Sequence, residues 1–264
     1  MFTKVFSFVK RLPAMYTHYW HGKHDTKKGY FVQALEHFNK AINLNPNDPK
    51  FYLSRGLIYK TQGDFHRAIK DFNTVIKIKP NSAEAYYNRG SCNYHRNRFD
   101  EAINDFNTAI AVKPNYGLAY YRRGRINYIN QNYTAAIENY TKTIQFLTDN
   151  PIIFYNRARA YQYKGEYENA IKDYTKTIEL QPDYAEAYYL RGECRLIQNN
   201  FDQAINDFNT TLKIKPTFTD AYYKRAIAYK ATGEVTMAIE DLKKTLESNP
   251  DHIQAQGLLK ELEA

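Results

Sequence analysis

The chain has 264 residues, 43% of them hydrophobic, with only 11 glycines and 9 prolines. That is enough for one large domain or a continuous array, and it excludes a linker-rich or low-complexity protein; no apolar stretch reaches the length of a membrane-spanning helix. The net charge of +9 is unevenly placed: residues 1–82 hold 14 Lys/Arg against 5 Asp/Glu, whereas residues 83–264 hold 23 of each. A basic track along the whole chain is therefore excluded, and an acidic partner, an anionic membrane or nucleic acid is attracted at one end only.

Residues 1–14, MFTKVFSFVKRLPA, place Phe2, Val5, Phe6, Val9 and Leu12 on one helical face and Lys4, Lys10 and Arg11 elsewhere. A basic amphipathic segment of this kind lies on a membrane surface, addresses a protein to an organelle, or packs as a helix on its neighbour in the chain. It lacks the uninterrupted apolar run of a secretory signal. His18, His21, His24 and Asp25 come next, at spacings that can share a face. Without a nearby cysteine, and with a loose ligand set, they read as a degenerate end unit and not as a metal site.

From here the chain is periodic. Prolines stand at 46, 80, 114, 182, 216 and 250, each step being 34 residues or twice that, and the missing beat at Thr148 is followed by Pro151. Small residues keep the same time: Gly56, Gly90, Gly124, Ala158, Gly192 and Ala226, then Ala34, Ala68, Ala102, Ala136, Ala170, Ala204 and Ala238. Within residues 83–116, Tyr86, Gly90 and Asn93/Tyr94 form one stripe at helical spacing. Phe99, Ala102, Ile103, Phe106 and Ile110 form a second. A short polar turn separates them, Asn97–Arg98 here and Gln62–Gly63–Asp64 or Lys164–Gly165–Glu166 elsewhere. Each unit is thus predicted as helix, tight turn, helix, and a strict period of this size means one unit stacked many times.

The spacing of aromatic, Gly/Ala, late tyrosine, Ala, aromatic and Pro resembles the tetratricopeptide repeat. Seven repeats are expected, at 15–48, 49–82, 83–116, 117–150, 151–184, 185–218 and 219–252. Residues 253–264 form a capping helix whose Ile253, Leu258, Leu259 and Leu262 cover repeat seven. The resemblance implies an all-α fold: a right-handed α-solenoid of antiparallel helix pairs, a superhelix with the first helices on its concave side. It also implies a non-enzymatic scaffold or adaptor that binds protein.

Two slots depart from the family pattern. Arg55, Arg89, Arg123, Arg157, Arg191 and Arg225 precede the small residue of the first helix. Asp71, Asp105, Asn139, Asp173, Asp207 and Asp241 precede the aromatic of the second. Repeat one changes both together, to His21 and His37. A matched acid in nearly every unit points to arginine–aspartate pairing inside each hairpin. Cys92 and Cys194 share a slot three repeats apart and read as reduced apolar filling, which suits a cytoplasmic protein; organelle targeting or peripheral membrane attachment are the alternatives.

Neighbouring helical residues point about 100° apart. In each tyrosine doublet the first ring is therefore expected in the core and the second in the groove. The expected groove is lined by Tyr87, Tyr121, Tyr155, Tyr189 and Tyr223, flanked by Asn88, Arg122 and Asn156, with a central arginine cluster of Arg122, Arg125 and Arg159. Tyrosine offers contact area at low entropy cost, and arginine binds carboxylate or phosphate through two N–H groups. The expected ligand is an extended peptide or protein segment, acidic where it meets the arginines. The family's clamp for a terminal carboxylate is not supported, because tyrosine fills its lysine slot from repeat three on. No phosphate loop, nucleophile elbow or metal motif is present, so no cofactor, metal or catalysis is expected. Two other readings stay open: a helical-repeat RNA binder, disfavoured by the vanishing charge beyond residue 82, and a membrane-peripheral assembly factor anchored by residues 1–14.

Overall fold

The computed structural model describes residues 2–264, with side chains described from Ala14 onwards; the expected amphipathic face of Phe2, Val5, Phe6, Val9 and Leu12 lies outside the described residues. Among the described residues every regular element is a helix. The chain forms two compact units, residues 1–126 and Asn127–Ala264. The first holds α1 (Phe2–Lys28), α2 (Phe31–Leu44), α3 (Pro49–Thr61), α4 (Phe65–Ile78), α5 (Ala83–His95), α6 (Phe99–Val112) and most of α7 (Gly117–Ile129). The second holds α8 (Tyr133–Phe146), α9 (Pro151–Tyr163), α10 (Tyr167–Leu180), α11 (Ala185–Ile197), α12 (Phe201–Ile214), α13 (Thr219–Thr232), α14 (Val235–Ser248) and α15 (Ile253–Glu263). The fold is an all-α solenoid of paired helices, as the period requires.

Local chemistry sets the ends of these helices. Asp48, Asp64, Ser82, Asn132 and Asn150 accept a hydrogen bond from a backbone N–H of the helix each precedes, satisfying a donor the helix itself leaves unpaired. Pro49 and Pro151 stand first in α3 and α9, where no N–H is needed. Every turn inside a hairpin passes through a left-handed residue at one slot of the period: Gly29, Gly63, Asn97, Gln131, Gly165, Asn199 and Gly233, with φ between 57° and 86°. Glycine and asparagine suit that conformation; Gln131 does not.

The small residues on the first helices seat the aromatic rings of the second. A Cβ added to Gly22, Gly56, Gly90 or Gly192 would stand 2.7–2.9 Å from a ring carbon of Phe38, Phe72, Phe106 or Phe208, closer than packed carbons come. All four rings are fully buried, as are Tyr140 and Tyr174 in the same slot. Thr143, Thr177, Thr211 and Thr245 lie buried beside this layer and return their hydroxyls to the carbonyl four residues back, so these polar groups are not stranded.

The arginine–aspartate pairing expected from the sequence is present. Arg55–Asp71, Arg89–Asp105, Arg157–Asp173, Arg191–Asp207 and Arg225–Asp241 close at 2.6–2.7 Å. In each the aspartate is buried and the arginine mostly so. A further contact was not foreseen. The remaining Nη1 reaches back to the preceding hairpin: Arg55 to Asn39, Arg89 to Asn73, Arg123 to Asn107, Arg157 to Thr141, Arg191 to Thr175 and Arg225 to Asn209, at 2.6–3.0 Å. One side chain thereby ties the two helices of a hairpin and the hairpin before it. Asp207 carries a second arginine, Arg195, at 2.7 Å, whose Nε is buried with no partner among the described residues. In the first hairpin the His21 and His37 rings meet edge-on at 5.2 Å, and His18 Nδ1 lies 3.2 Å from His37 Nδ1.

The C-terminal helix α15 sets Leu258, Leu259 and Leu262 against Ala226, Ala228, Tyr229 and Leu242. Ile253 does not join them. It opens the helix and is 77% exposed, while Ala255, two residues on, takes the buried position. Cys92 and Cys194 are both free and buried, and burial pushes each thiol up to about 12.

Asp207→Leu leaves two half-buried guanidiniums without a carboxylate and Asp173→Leu leaves one, so urea unfolding gives losses of about 3 kcal/mol or more, larger for Asp207→Leu. Gln131→Gly removes a left-handed non-glycine residue and raises stability by up to about 1 kcal/mol in thermal unfolding. Cys92 and Cys194, almost wholly protonated at neutral pH, resist a thiol-reactive disulfide reagent in the native protein and react at once in urea.

Candidate functional site

The first helices carry two working faces. One bears the arginines that tie hairpins together. The other bears the tyrosine row, whose rings are also packed against other helices. In three hairpins the second ring of the doublet rests on the buried aromatic of its own hairpin, Tyr87 on Phe106, Tyr155 on Tyr174 and Tyr189 on Phe208, with centroids 5.9–6.0 Å apart. The first ring lies under the staple arginine: Arg89 over Tyr86, Arg123 over Tyr120, Arg191 over Tyr188 and Arg225 over Tyr222, at 5.4–5.6 Å. Both rings end half-buried, because a ring broad enough to cover the core still leaves an edge exposed.

A second aromatic layer escaped the sequence reading. The residue just before a first helix is a polar cap in some units, but it is Tyr116, Tyr184, Phe218 or His252 in others. There it packs on the doublet ring of the preceding hairpin: Tyr116 on Tyr87, Tyr184 on Tyr155, Phe218 on Tyr189 and His252 on Tyr223, at 4.6–5.0 Å. The period carried this signal, since all four stand in one slot, but a slot shared with Asp48, Ser82 and Asn150 reads as capping alone.

In the second unit three of these rings, Tyr155, Tyr189 and Phe218, line an open cavity of about 750 Å³. Tyr155, Arg159 and Tyr189 of the expected site line it, together with Gln162, Tyr163, Tyr167, Glu186, Leu190, Glu193, Ile197 and Phe218. Asn156 and Tyr223 are half-buried and do not line it. Arg159 sits over the Tyr128 and Tyr155 rings at 5.2 and 5.9 Å. Burial works against its charge; Tyr128, Tyr155 and a hydrogen bond with Tyr163 hold the guanidinium above its ordinary value. Burial likewise pushes the Tyr155 phenol up to about 12. Across the cavity Glu193 accepts the Tyr189 hydroxyl at 3.2 Å and pairs with Lys224 at 2.9 Å. Gln162 accepts the hydroxyl of the buried Tyr174 at 2.6 Å, which fixes its amide at the cavity wall. The cavity therefore offers one cation held by rings at one side and carboxylates at the other, between apolar walls.

In the first unit the expected residues fall into two groups. Asn88 is buried, 3% exposed, and is a bracket more than a contact surface. Its amide donates to the Glu84 carbonyl at 2.8 Å, and its oxygen accepts from Lys60 Nζ at 2.6 Å. Lys60 also lies over the Tyr87 ring at 6.0 Å. Arg122 and Arg125 both stand over Tyr94, at 5.6 and 5.4 Å. Tyr121 is half-buried beside them in sequence. Among the described residues no group of three or more His, Cys, Asp or Glu side chains is placed to hold a metal ion, and no helix is long and apolar enough to cross a membrane.

Comparison with known proteins agrees with this architecture. Two tetratricopeptide repeat profiles match residues 53–111, 96–151 and 155–217 and residues 195–262, and a TPR repeat profile matches residues 22–63. No curated protein matches the chain in sequence. Among solved structures, the C-terminal part of a TPR repeat-containing protein from Cytophaga hutchinsonii is 21% identical, with a TM-score of 0.76, covering 90% of this chain and 98% of its own. A tetratricopeptide repeat protein from Parabacteroides merdae is 20% identical, with a TM-score of 0.60, covering 98% and 99%. MamA is 30% identical, with a TM-score of 0.58, covering 62% of this chain and 96% of its own. Proteins of this kind are generally non-catalytic scaffolds that bind proteins or peptides. With its hairpins, its period and profile matches over more than half its length, the chain belongs to the tetratricopeptide repeat family.

Proposed function

We propose that this protein is an adaptor that holds an extended segment of another protein against the tyrosine-bearing faces of its first helices, without turnover and without a cofactor. The cavity of the second unit carries the reading. Its volume of about 750 Å³ suits a few side chains of a bound segment, and its walls are the half-buried rings that interfaces favour. Arg159 supplies a charge that is oriented by rings and, among the described residues, left without a carboxylate, while Glu186 is available to a ligand's cation and Glu193 is already paired with Lys224. Two free, buried cysteines fit a protein that works in a reducing compartment.

Selection of a displayed random-peptide library on the intact chain tests this. Clones that bind lose about tenfold or more in affinity to Arg159→Ala or Tyr189→Ala, each about 1.4 kcal/mol or more of contact, while circular dichroism stays unchanged. Clones that bind both variants as well as the wild type move the site away from the cavity.

A further inference from the structure

The two units treat the cations of the tyrosine face differently. Five first-unit cations, Lys23, Lys27, Lys60, Arg122 and Arg125, stand at register positions of the 34-residue period whose second-unit counterparts line the cavity: Arg159 and Glu193, Tyr163 and Ile197, Gln162, and Leu190. In the second unit, two of the three cations in these registers, Lys224 and Lys230, close on Glu193 and Glu261 at 2.9 and 2.7 Å, and the third, Arg159, is held by the Tyr128 and Tyr155 rings. In the first unit, among the described residues, none of the five comes within ion-pair distance of a carboxylate. Asp71 and Asp105 are spent on Arg55 and Arg89, on the other face of the same helices.

What holds three of these five cations is neutral. Lys60 is anchored by the Asn88 amide oxygen, itself fixed by a backbone carbonyl, and Arg122 and Arg125 are laid on the Tyr94 ring. An amide or a ring face aims a charge without cancelling it. His95 reports their combined field: it is pushed down first by burial, then by Arg122, Lys60 and Arg125 acting together. Glu84, one turn before Asn88, is the one acid of the first unit in the register of Glu186.

We infer that the first unit binds an acidic protein segment, a run rich in aspartate and glutamate, across Lys23, Lys27, Lys60, Arg122 and Arg125. Such a segment meets cations already oriented and displaces no internal carboxylate, so each new pair forms without breaking an old one. Its carboxylates come from side chains along the run and not from a chain terminus. Nucleic acid fits less well, because the rings on which a base would stack are already covered, Tyr94 by two guanidiniums and Tyr87 by Tyr116 and Lys60. The inference rests on the adaptor reading and adds the chemistry of the partner.

Fluorescence anisotropy with the intact chain tests it, using as probe a fluorescein-labelled, C-terminally amidated peptide of alternating glutamate and serine, about twelve residues long, at an ionic strength of about 0.1 M and again at about 0.5 M. Binding is expected to the glutamate peptide and not to its glutamine or lysine counterparts, and to weaken with salt. The Lys60→Gln/Arg122→Gln/Arg125→Gln variant, checked for unchanged circular dichroism, loses about tenfold or more in affinity, while the surface control Lys142→Gln/Lys176→Gln does not. No binding of the glutamate peptide overturns the inference, as does equal loss in the surface control. Tighter binding of an oligouridylate or of phosphatidylserine vesicles, lost in the same triple variant, overturns it in favour of nucleic acid or membrane. If the glutamate peptide fails while library peptides still depend on Arg159 and Tyr189, the adaptor reading stands and only the acidic partner falls.

Discussion

The arginine fork of each first helix is the contact on which the rest of the structure depends. In five hairpins its Nε and Nη2 face the buried aspartate of the same hairpin and its Nη1 reaches an asparagine or threonine of the hairpin before; at Arg123 the acid slot holds Asn139, and Nη1 still reaches Asn107. A lysine could neutralise the aspartate but could not serve both partners from one rigid plane. Hydrophobic layers built on Phe38, Phe72, Phe106 and Phe208 supply most of the driving force, yet burial is non-directional and would tolerate slippage between hairpins. The fork adds direction. In the first hairpin the pair is replaced by the His21 and His37 rings.

Because one face of each first helix is committed to this tie, the other is left to vary. The sequence varies there in two ways. Aromatic rings either stack across hairpins, as Tyr155 does on Tyr184, or give way to a polar cap such as Asp48 or Ser82. Charges are either cancelled, as Lys224 is by Glu193, or merely oriented, as Lys60 is by Asn88. The first choice shapes the cavity walls. The second sets what a ligand must bring. A helix with both faces tied would be more stable and would have nothing left with which to bind.

Much of the fold was legible because a strict period repeats each constraint several times in one chain. Arg55 beside Asp71 is a coincidence; the same pairing five times over is a contact. The same logic would have exposed the backward reach to Asn39, Asn73 and Thr141, which keep the period, had their slot not looked like an ordinary solvent-facing position. The depth to which the tyrosine doublets pack was not legible, for a different reason. Helical geometry gives the direction in which Tyr86 and Tyr87 leave the helix, but how far each ring penetrates depends on Phe106 and Tyr116, which arrive from other helices. Ile253 went wrong likewise, since an apolar residue at the first turn of α15 can face either way until the helix is docked.

The sequence by itself determined the hairpins, their number of residues, the periodic small residues and the arginine–aspartate pairs, because each is a local or single-period relation that composition and spacing encode directly. Only the tertiary structure decided which cations are cancelled and which are left charged, which rings line the cavity beside Arg159, and that Asn88 is a buried bracket for Lys60. Those outcomes turn on distances of a few ångströms between side chains of different hairpins, and electrostatic and packing energies change over that same range.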